Sequence, residues 1–180
     1  PNPALVLDRL RTKRARSKVE HQLEQTIGGG FKGRVHHVEH HLAHLSSAFL
    51  VSPFTRAVVV SVHGFGDFAS AAWGIAEHDR IEIHGKIYFP HSLGIFYEAV
   101  TQYLGFPHYG DEYKVMGLAS YGEPRYLEQM RDIVRVQADG TFRLNLDYFR
   151  HQTEKVEYQW DSGAPQGHAG NLFSQKLAAV

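Results

Sequence analysis

Histidine is concentrated in one short stretch. Of the chain's 13 histidines, His36, His37, His40, His41 and His44 fall between positions 36 and 44. Imidazole is mostly neutral near pH 7 and offers a nitrogen lone pair, so such a cluster points to metal ligation or proton transfer. Read as a helix beginning near Glu39, the segment places Leu42, Leu45 and Phe49 on one apolar stripe, with His40, His44 and Ser47 on the opposite face. His40 and His44 then stand one turn apart, the i, i+4 spacing with which a helix grips a single metal ion. His41 borders the apolar stripe and is expected to pack inward. A lone His-x-x-x-His pair is only half a metal site, and by itself it reads more readily as solvated or core-edge histidine.

The second chemical feature is His63-Gly64-Phe65-Gly66-Asp67, which follows the β-branched run Arg56 to Val62. Two glycines just after a buried strand let backbone approach a ligand closely and aim amide hydrogens at an anion. Residues 63 to 67 are therefore a candidate phosphate or carbonyl cradle, with a plain tight turn as the simpler alternative. The strand would also carry His63 toward the face of His40 and His44. Three converging imidazoles make a metal site that leaves positions open to substrate.

The elements that must position these groups can be read from periodicity and turn residues. Ala4 to Ile27 reads as helix, stopped by Gly28-Gly29-Gly30, and Arg9, Arg11, Lys13, Arg14, Arg16 and Lys18 make its middle basic. A short strand near Arg34 to Val38 feeds the histidine helix, which stops before Pro53. Arg56 to Val62 and Ala69 to Ala76 read as strands joined through the glycine loop, and Arg80 to Phe89 as a third, broken by Pro90. Three helical stretches follow, Ser92 to Leu104, Glu112 to Ser120 and Pro124 to Val136, and then a hairpin around Asp139-Gly140. Together the strands predict one mixed sheet with the histidine helix on a face, the later helices forming a separate layer or insertion. Trp73, Tyr97 and Tyr103 are expected as core aromatics rather than a stacking platform.

Composition narrows the function classes. Nineteen basic and nineteen acidic side chains leave the 180-residue chain formally neutral, which gives no general pull toward nucleic acid or a membrane surface. Without cysteine there is no disulfide, thiolate metal site or cysteine nucleophile, so a metal must take imidazole and oxygen ligands. The longest apolar runs, such as Ala57 to Val60, are strand-sized and follow no basic leader, so a cytoplasmic setting is the expectation. The chain opens at Pro1 and closes on a helical pattern over Asn171 to Val180 with no stop signal, which reads as a segment of a larger protein.

Several blocks resemble the O-carbamoyltransferase family of the nodulation-protein-U and cephalosporin or aminoglycoside carbamoylation type. They are Glu39 to Phe49, Val59 to Trp73, Ser92-Leu93-Gly94-Ile95-Phe96-Tyr97 with Val100-Thr101, Gly105-Phe106, Gly110 to Ala119, and Tyr121-Gly122. They span about Val35 to Tyr126, and their order matches as well as their wording. The resemblance implies an α/β fragment of an actin, Hsp70 and sugar-kinase-like (ribonuclease H-like) lobe, a mixed sheet with flanking helices and a helical insertion, similar to the transferase lobe of tRNA threonylcarbamoyl transferases. Positions 1–30 would be a basic helical segment and 31–180 part of the lobe. The parent's leading strands, a later acidic ligand and a YrdC-like domain would lie outside the chain, and the fragment alone should not turn over.

In that family carbamoyl phosphate and ATP give a carbamoyl-adenylate, and the lobe moves the carbamoyl group to a hydroxyl of a sugar or natural-product acceptor. The resemblance makes His40, His44 and His63 ligands of a divalent metal, with Fe, Mn, Mg and Zn all open. It makes Gly64, Phe65, Gly66 and Asp67 the nucleotide or carbamoyl contact. Glu112 and Lys114 are candidate acceptor or phosphate contacts, against a reading of Asp111 and Glu112 as an ordinary helix start. One position departs from the pattern: the family's loop begins Asp-Gly-x-Gly, and here the aspartate is His63. Imidazole removes a negative charge and shifts preference from hard cations toward zinc, cobalt or nickel. Two other classes stay open. A zinc hydrolase would use the same histidines with Asp67 or Glu39 as base, and a nucleic-acid-binding module would use the basic helix, with steep salt dependence as its mark.

Overall fold

The computed structural model describes residues 19–27, 30–156, 158–160 and 167–180, together with Pro3, Leu7, Leu10 and Arg11. Of the basic helix predicted over Ala4 to Ile27, the described part includes helix α1, Val19–Ile27, and Arg11. Arg9, Lys13, Arg14, Arg16, Lys18, Gly28 and Gly29 lie outside the described residues.

The histidine helix is α2, His40–Phe49, and it begins where the sequence places it. Glu39 is extended (φ −62°, ψ 140°) and its Oε2 accepts from Leu42 N at 2.8 Å, supplying one partner that the helix start lacks. The buried stripe is His41, Leu45 and Phe49, one residue every turn. It thus runs through His41 rather than Leu42, which is only partly buried. No strand forms at Arg34 to Val38: those residues are irregular and mostly exposed. Their mixture of charge, imidazole and valine has no facing strand to pair with among the described residues.

The sheet has three strands in the order β1 (Arg56–Gly66), β2 (Ala69–Glu77), β3 (Arg80–Tyr88), and every pairing is antiparallel. The expected mixed sheet is therefore a plain antiparallel meander, because consecutive strands are joined by tight turns that leave no room for a crossover. The β1–β2 turn also differs from expectation. Residues 63 to 66 belong to the strand, and Gly66 pairs with Ala69 around a two-residue turn, Asp67-Phe68, both at positive φ (48° and 70°). That is the geometry whose twist suits a hairpin, but phenylalanine is an unusual occupant, so the glycines were the misleading signal. The register shifts between Val62 and Gly66, and this bulge re-aims the residues between them.

Alternation on β1 divides the two faces of the sheet. Val59 packs with Leu45, Phe49 and Ala76 beneath α2, joined by Ala57, Ile81 and Ile83. Val58, Val60 and Val62 point the other way and are 75%, 62% and 48% exposed. A second core lies around α3, Leu93–Tyr103, where Ile95 and Ala99 meet Ile133, Leu144, Tyr148, Phe149, Leu172 and Leu177. Burying leucine- or isoleucine-sized groups there contributes about 1.5–3 kcal/mol each. Helices α4, Glu112–Ala119, and α5, Leu127–Ile133, follow as predicted. The end of the third predicted helix is instead strand β4, Val134–Val136, paired with β5, Phe142–Leu144, around the expected turn at Asp139-Gly140. At the carboxyl end, helix α6 is confined to Gln175–Ala178, shorter than the pattern over 171–180 suggests, because Phe173 is drawn into a bridge with Phe149. Among the aromatics, Trp73 and Tyr97 are partly buried, whereas Tyr103 is 43% exposed and meets Phe173 edge-on.

Candidate metal centre

His40 and His44 leave the same side of α2, and β1 brings His63 to them. His40 Nε2 lies 3.1 Å from His63 Nε2 and 3.1 Å from His44 Nε2. One nitrogen from each of the three rings falls within 4.8 Å of the other two. His40 and His63 are partly buried and His44 is exposed, so the focus opens to solvent on one side. The phase of the helix thus places the pair as the sequence predicts, and His41 is buried beside the cluster, its Nδ1 bonded to Ser61 rather than joining the three nitrogens.

This arrangement suits a cation. A neutral imidazole nitrogen presents either one N–H or one lone pair, so protons satisfy these three nitrogens only by sharing one hydrogen between both 3.1 Å contacts, whereas a cation accepts all three lone pairs. Ligands about 2.0–2.1 Å from a tetrahedral ion stand about 3.3 Å apart, close to the two short separations here. Protonation is also disfavoured. Burial, reinforced by His41, His40 and His44, pushes the His63 imidazole down to about 4. Burial likewise lowers His40, helped by His44 and His41, with the carboxylates of Asp67 and Glu39 pulling the other way. Rings kept neutral by their surroundings are rings ready to ligate.

The surrounding residues hold the cluster in place. Gly66 is required: a Cβ there would overlap the His40 ring. Asp67 Oδ2 accepts from His40 N at 3.2 Å, tying the turn to the start of α2. Glu39 uses both carboxylate oxygens, Oε2 for the cap and Oε1 for Lys86 Nζ at 2.8 Å. Although burial works to raise it, Lys86 and the backbone amides hold the Glu39 carboxyl below the usual carboxylate range. With both oxygens engaged, Glu39 is poorly placed to serve as a general base.

Two contributors were not read from the sequence as site residues. Ser92 is fully buried at the start of α3, where its Oγ accepts from Ile95 N and donates to the carbonyls of His63, at 3.1 Å, and Gly64, at 2.8 Å. Gly94 packs its bare Cα against the same backbone, since a Cβ would stand 2.6 Å from Gly64 N and 2.7 Å from His63 C. The helix start therefore fixes the backbone of residues 63 and 64. A Ser-x-Gly pair just before a helical run was the available signal. Gly64 itself faces open space, so the cradle is accessible there.

Glu112 and Lys114 sit in a different setting. Lys114 Nζ lies 2.6 Å from Asp111 Oδ1, and Asp111 is 1% exposed. The Asp111 side chain turns back to accept from His108 N instead of capping α4. Burial opposes it, but the bonds from Lys114 and His108 hold the Asp111 carboxyl below its ordinary value. The Glu112 carbonyl accepts from Tyr97 Oη at 3.0 Å. These contacts commit the Lys114 charge to Asp111; Glu112 stands in the first turn of α4 as the helix-start reading expects, but Asp111 does not cap it.

An α/β unit with a three-imidazole focus against a glycine-bearing strand end is the class of protein that fold and site define. The family described as carbamoyltransferase N-terminus matches residues 5–159, and the chain belongs to it. An uncharacterised protein of Synechocystis sp. is 46% identical over 116 residues, 64% of this chain and 19% of that protein. Nodulation protein NolO of Bradyrhizobium diazoefficiens is 39% identical over 113 residues, 61% of this chain and 20% of its own length. Nodulation protein NolNO of Sinorhizobium fredii is 35% identical over 115 residues, 63% and 17%. The chain thus spans about a fifth of the length of these curated relatives. Among the described residues no helix is long and apolar enough to cross a membrane.

Proposed function

We propose that the chain is part of the amino-terminal lobe, of the actin, Hsp70 and sugar-kinase type, of an ATP-dependent O-carbamoyltransferase. In this reading positions 31–180 belong to the lobe, and the carbamoyl-adenylate is made from carbamoyl phosphate and ATP by a YrdC-like domain of the parent. The observation that carries the proposal is the convergence of His40, His44 and His63 Nε2 beside the open backbone at Gly64, in a chain of this family. A divalent metal held by those three nitrogens supplies a Lewis acid for a carbonyl or phosphoryl oxygen.

The chain's own residues do the remaining work. Ser92 and Gly94 fix the backbone of His63 and Gly64, so the open backbone at Gly64 can receive the adenylate without rearranging, while Phe65 and Gly66 pack inward. His44, exposed at the rim, meets the substrate side. An acceptor hydroxyl then attacks the carbamoyl carbon, the bond to the AMP oxygen breaks, AMP leaves, and the hydroxyl proton passes to solvent. No covalent enzyme nucleophile is required. Dependence on ATP and carbamoyl phosphate suits a cytoplasmic enzyme.

The test is incubation of the parent protein with carbamoyl phosphate, ATP and a panel of sugar and aminoglycoside hydroxyl acceptors. AMP release with a carbamoylated product by mass spectrometry is expected, and His40→Ala should abolish transfer. Hydrolysis of ester or amide substrates without ATP, and no AMP, would overturn the proposal in favour of a hydrolase.

A further inference from the structure

His41 is the fourth imidazole at the cluster, and the metal reading leaves it unused. Its side chain is fully buried. Its Nδ1 lies 3.0 Å from Ser61 Oγ, while its Nε2 has no hydrogen-bond partner among the described residues. Its ring lies flat on that of His63, with centroids 4.6 Å apart and planes 18° from parallel. His40 and His44 instead meet the His63 ring at 57°. Ser61 and His63 are two residues apart on β1 and project from one face, so a single strand supplies both the tether of His41 and the ring it covers.

A buried polar atom left without a partner costs about 1–3 kcal/mol. A phenylalanine would fill much the same space without that cost. Histidine at this place is thus explained by neither packing nor solubility, and both of its ring contacts, flat on His63 and edge-on to His40 at 5.6 Å, are with the candidate ligands. The His63 ring turns about a broad terminal torsion, and turning it sweeps Nε2 away from His40 and His44. A flat, anchored neighbour blocks that motion.

We infer that His41 is a positioning residue of the metal centre: anchored to Ser61 and stacked on His63, it fixes the plane in which His63 aims Nε2 at His40 and His44. The inference rests on the metal reading proposed above. His41 does not itself ligate, since Nδ1 is taken by Ser61 and the ring lies face-on to His63. Its contribution resembles that of the partners around metal-bound imidazoles, which hold ring orientation and so govern affinity.

The experiment is a Co²⁺ titration of the parent protein followed by visible absorption, with Zn²⁺ competition and circular dichroism. The variants are His41→Leu, His41→Phe and Ser61→Ala, with Val60→Thr on the opposite sheet face as control. His41→Leu is expected to weaken Co²⁺ binding about tenfold or more and to alter the ligand-field bands. His41→Phe, which restores the flat ring face, should recover most of the affinity, and Val60→Thr should change nothing. Unaltered affinity and spectrum in folded His41→Leu would overturn the inference. If His41→Leu does not fold, Ser61→Ala decides, with a loss of about threefold expected from removing one anchoring hydrogen bond and no loss overturning the inference. A wild-type parent protein that binds no Co²⁺ would overturn the metal reading and this inference together, whereas wild-type binding that ignores His41 overturns this inference alone.

Discussion

Acid should destabilise the fold through His63 in a defined window. The ring titrates at about 4 in the folded chain because burial and then the three neighbouring imidazoles disfavour its charge, whereas in the unfolded chain it titrates near 6.5. Above pH 6.5 the ring is neutral in both states, and the stability is fully present. Between 6.5 and about 4 the unfolded chain binds a proton that the folded chain refuses, so stability falls as pH falls, and below about 4 the loss is complete. The gap corresponds to about 3 kcal/mol at about 1.4 kcal/mol per pH unit. His63 is only partly buried and its cluster opens to water, so screening reduces the expected loss to about 1–2 kcal/mol. The assay is urea unfolding in the presence of a chelator at pH 7.5, 5.5 and 4, for wild type and His63→Gln. Wild type should lose about 1–2 kcal/mol more than the variant. Parallel losses, or a His63 ring-proton NMR titration centred near 6.5, would refute the reasoning.

Three further outcomes follow from the same geometry. His63→Asp exchanges a neutral ligand for an anionic one, so calorimetric titration near pH 7.5 should show Mn²⁺ binding strengthened relative to Zn²⁺; unchanged affinities for both would remove His63 from the metal shell. Gly66→Ala drives a methyl group into the His40 ring and should cost about 1–3 kcal/mol in urea unfolding, with Co²⁺ binding weakened about tenfold or more. Ser92→Ala removes a helix cap and leaves the His63 and Gly64 carbonyls short of a donor, for a loss of about 1–3 kcal/mol by thermal unfolding.

Much of the site was legible because helical phase is a local property. A helix beginning near Glu39 and His40 with His44 on one face depend only on spacing, and the structure shows both; that Glu39 caps the helix was not read from the sequence. The strand pairing of 56–62 with 69–76 followed from β-branched alternation in the same way. What could not be read depends on contacts across the chain. The turn at Asp67-Phe68 places a phenylalanine at positive φ, against its local preference, while Gly66 is spent on clearance for a ring 26 residues earlier. Ser92 and Ser61 look like ordinary small polar residues until the fold sets them against His63 and His41. The strand expected at Arg34 to Val38 failed for a related reason, since a strand needs a neighbour and none faces it among the described residues.

The central claim is a single metal held by three imidazoles, and X-ray absorption on the zinc-loaded chain addresses it most directly. The account predicts one zinc per chain, a nitrogen shell at about 2.0–2.1 Å and outer-shell scattering from three imidazole rings, falling to two rings in His63→Ala. Substoichiometric zinc, or a spectrum with one imidazole or none that His63→Ala leaves unchanged, would contradict it.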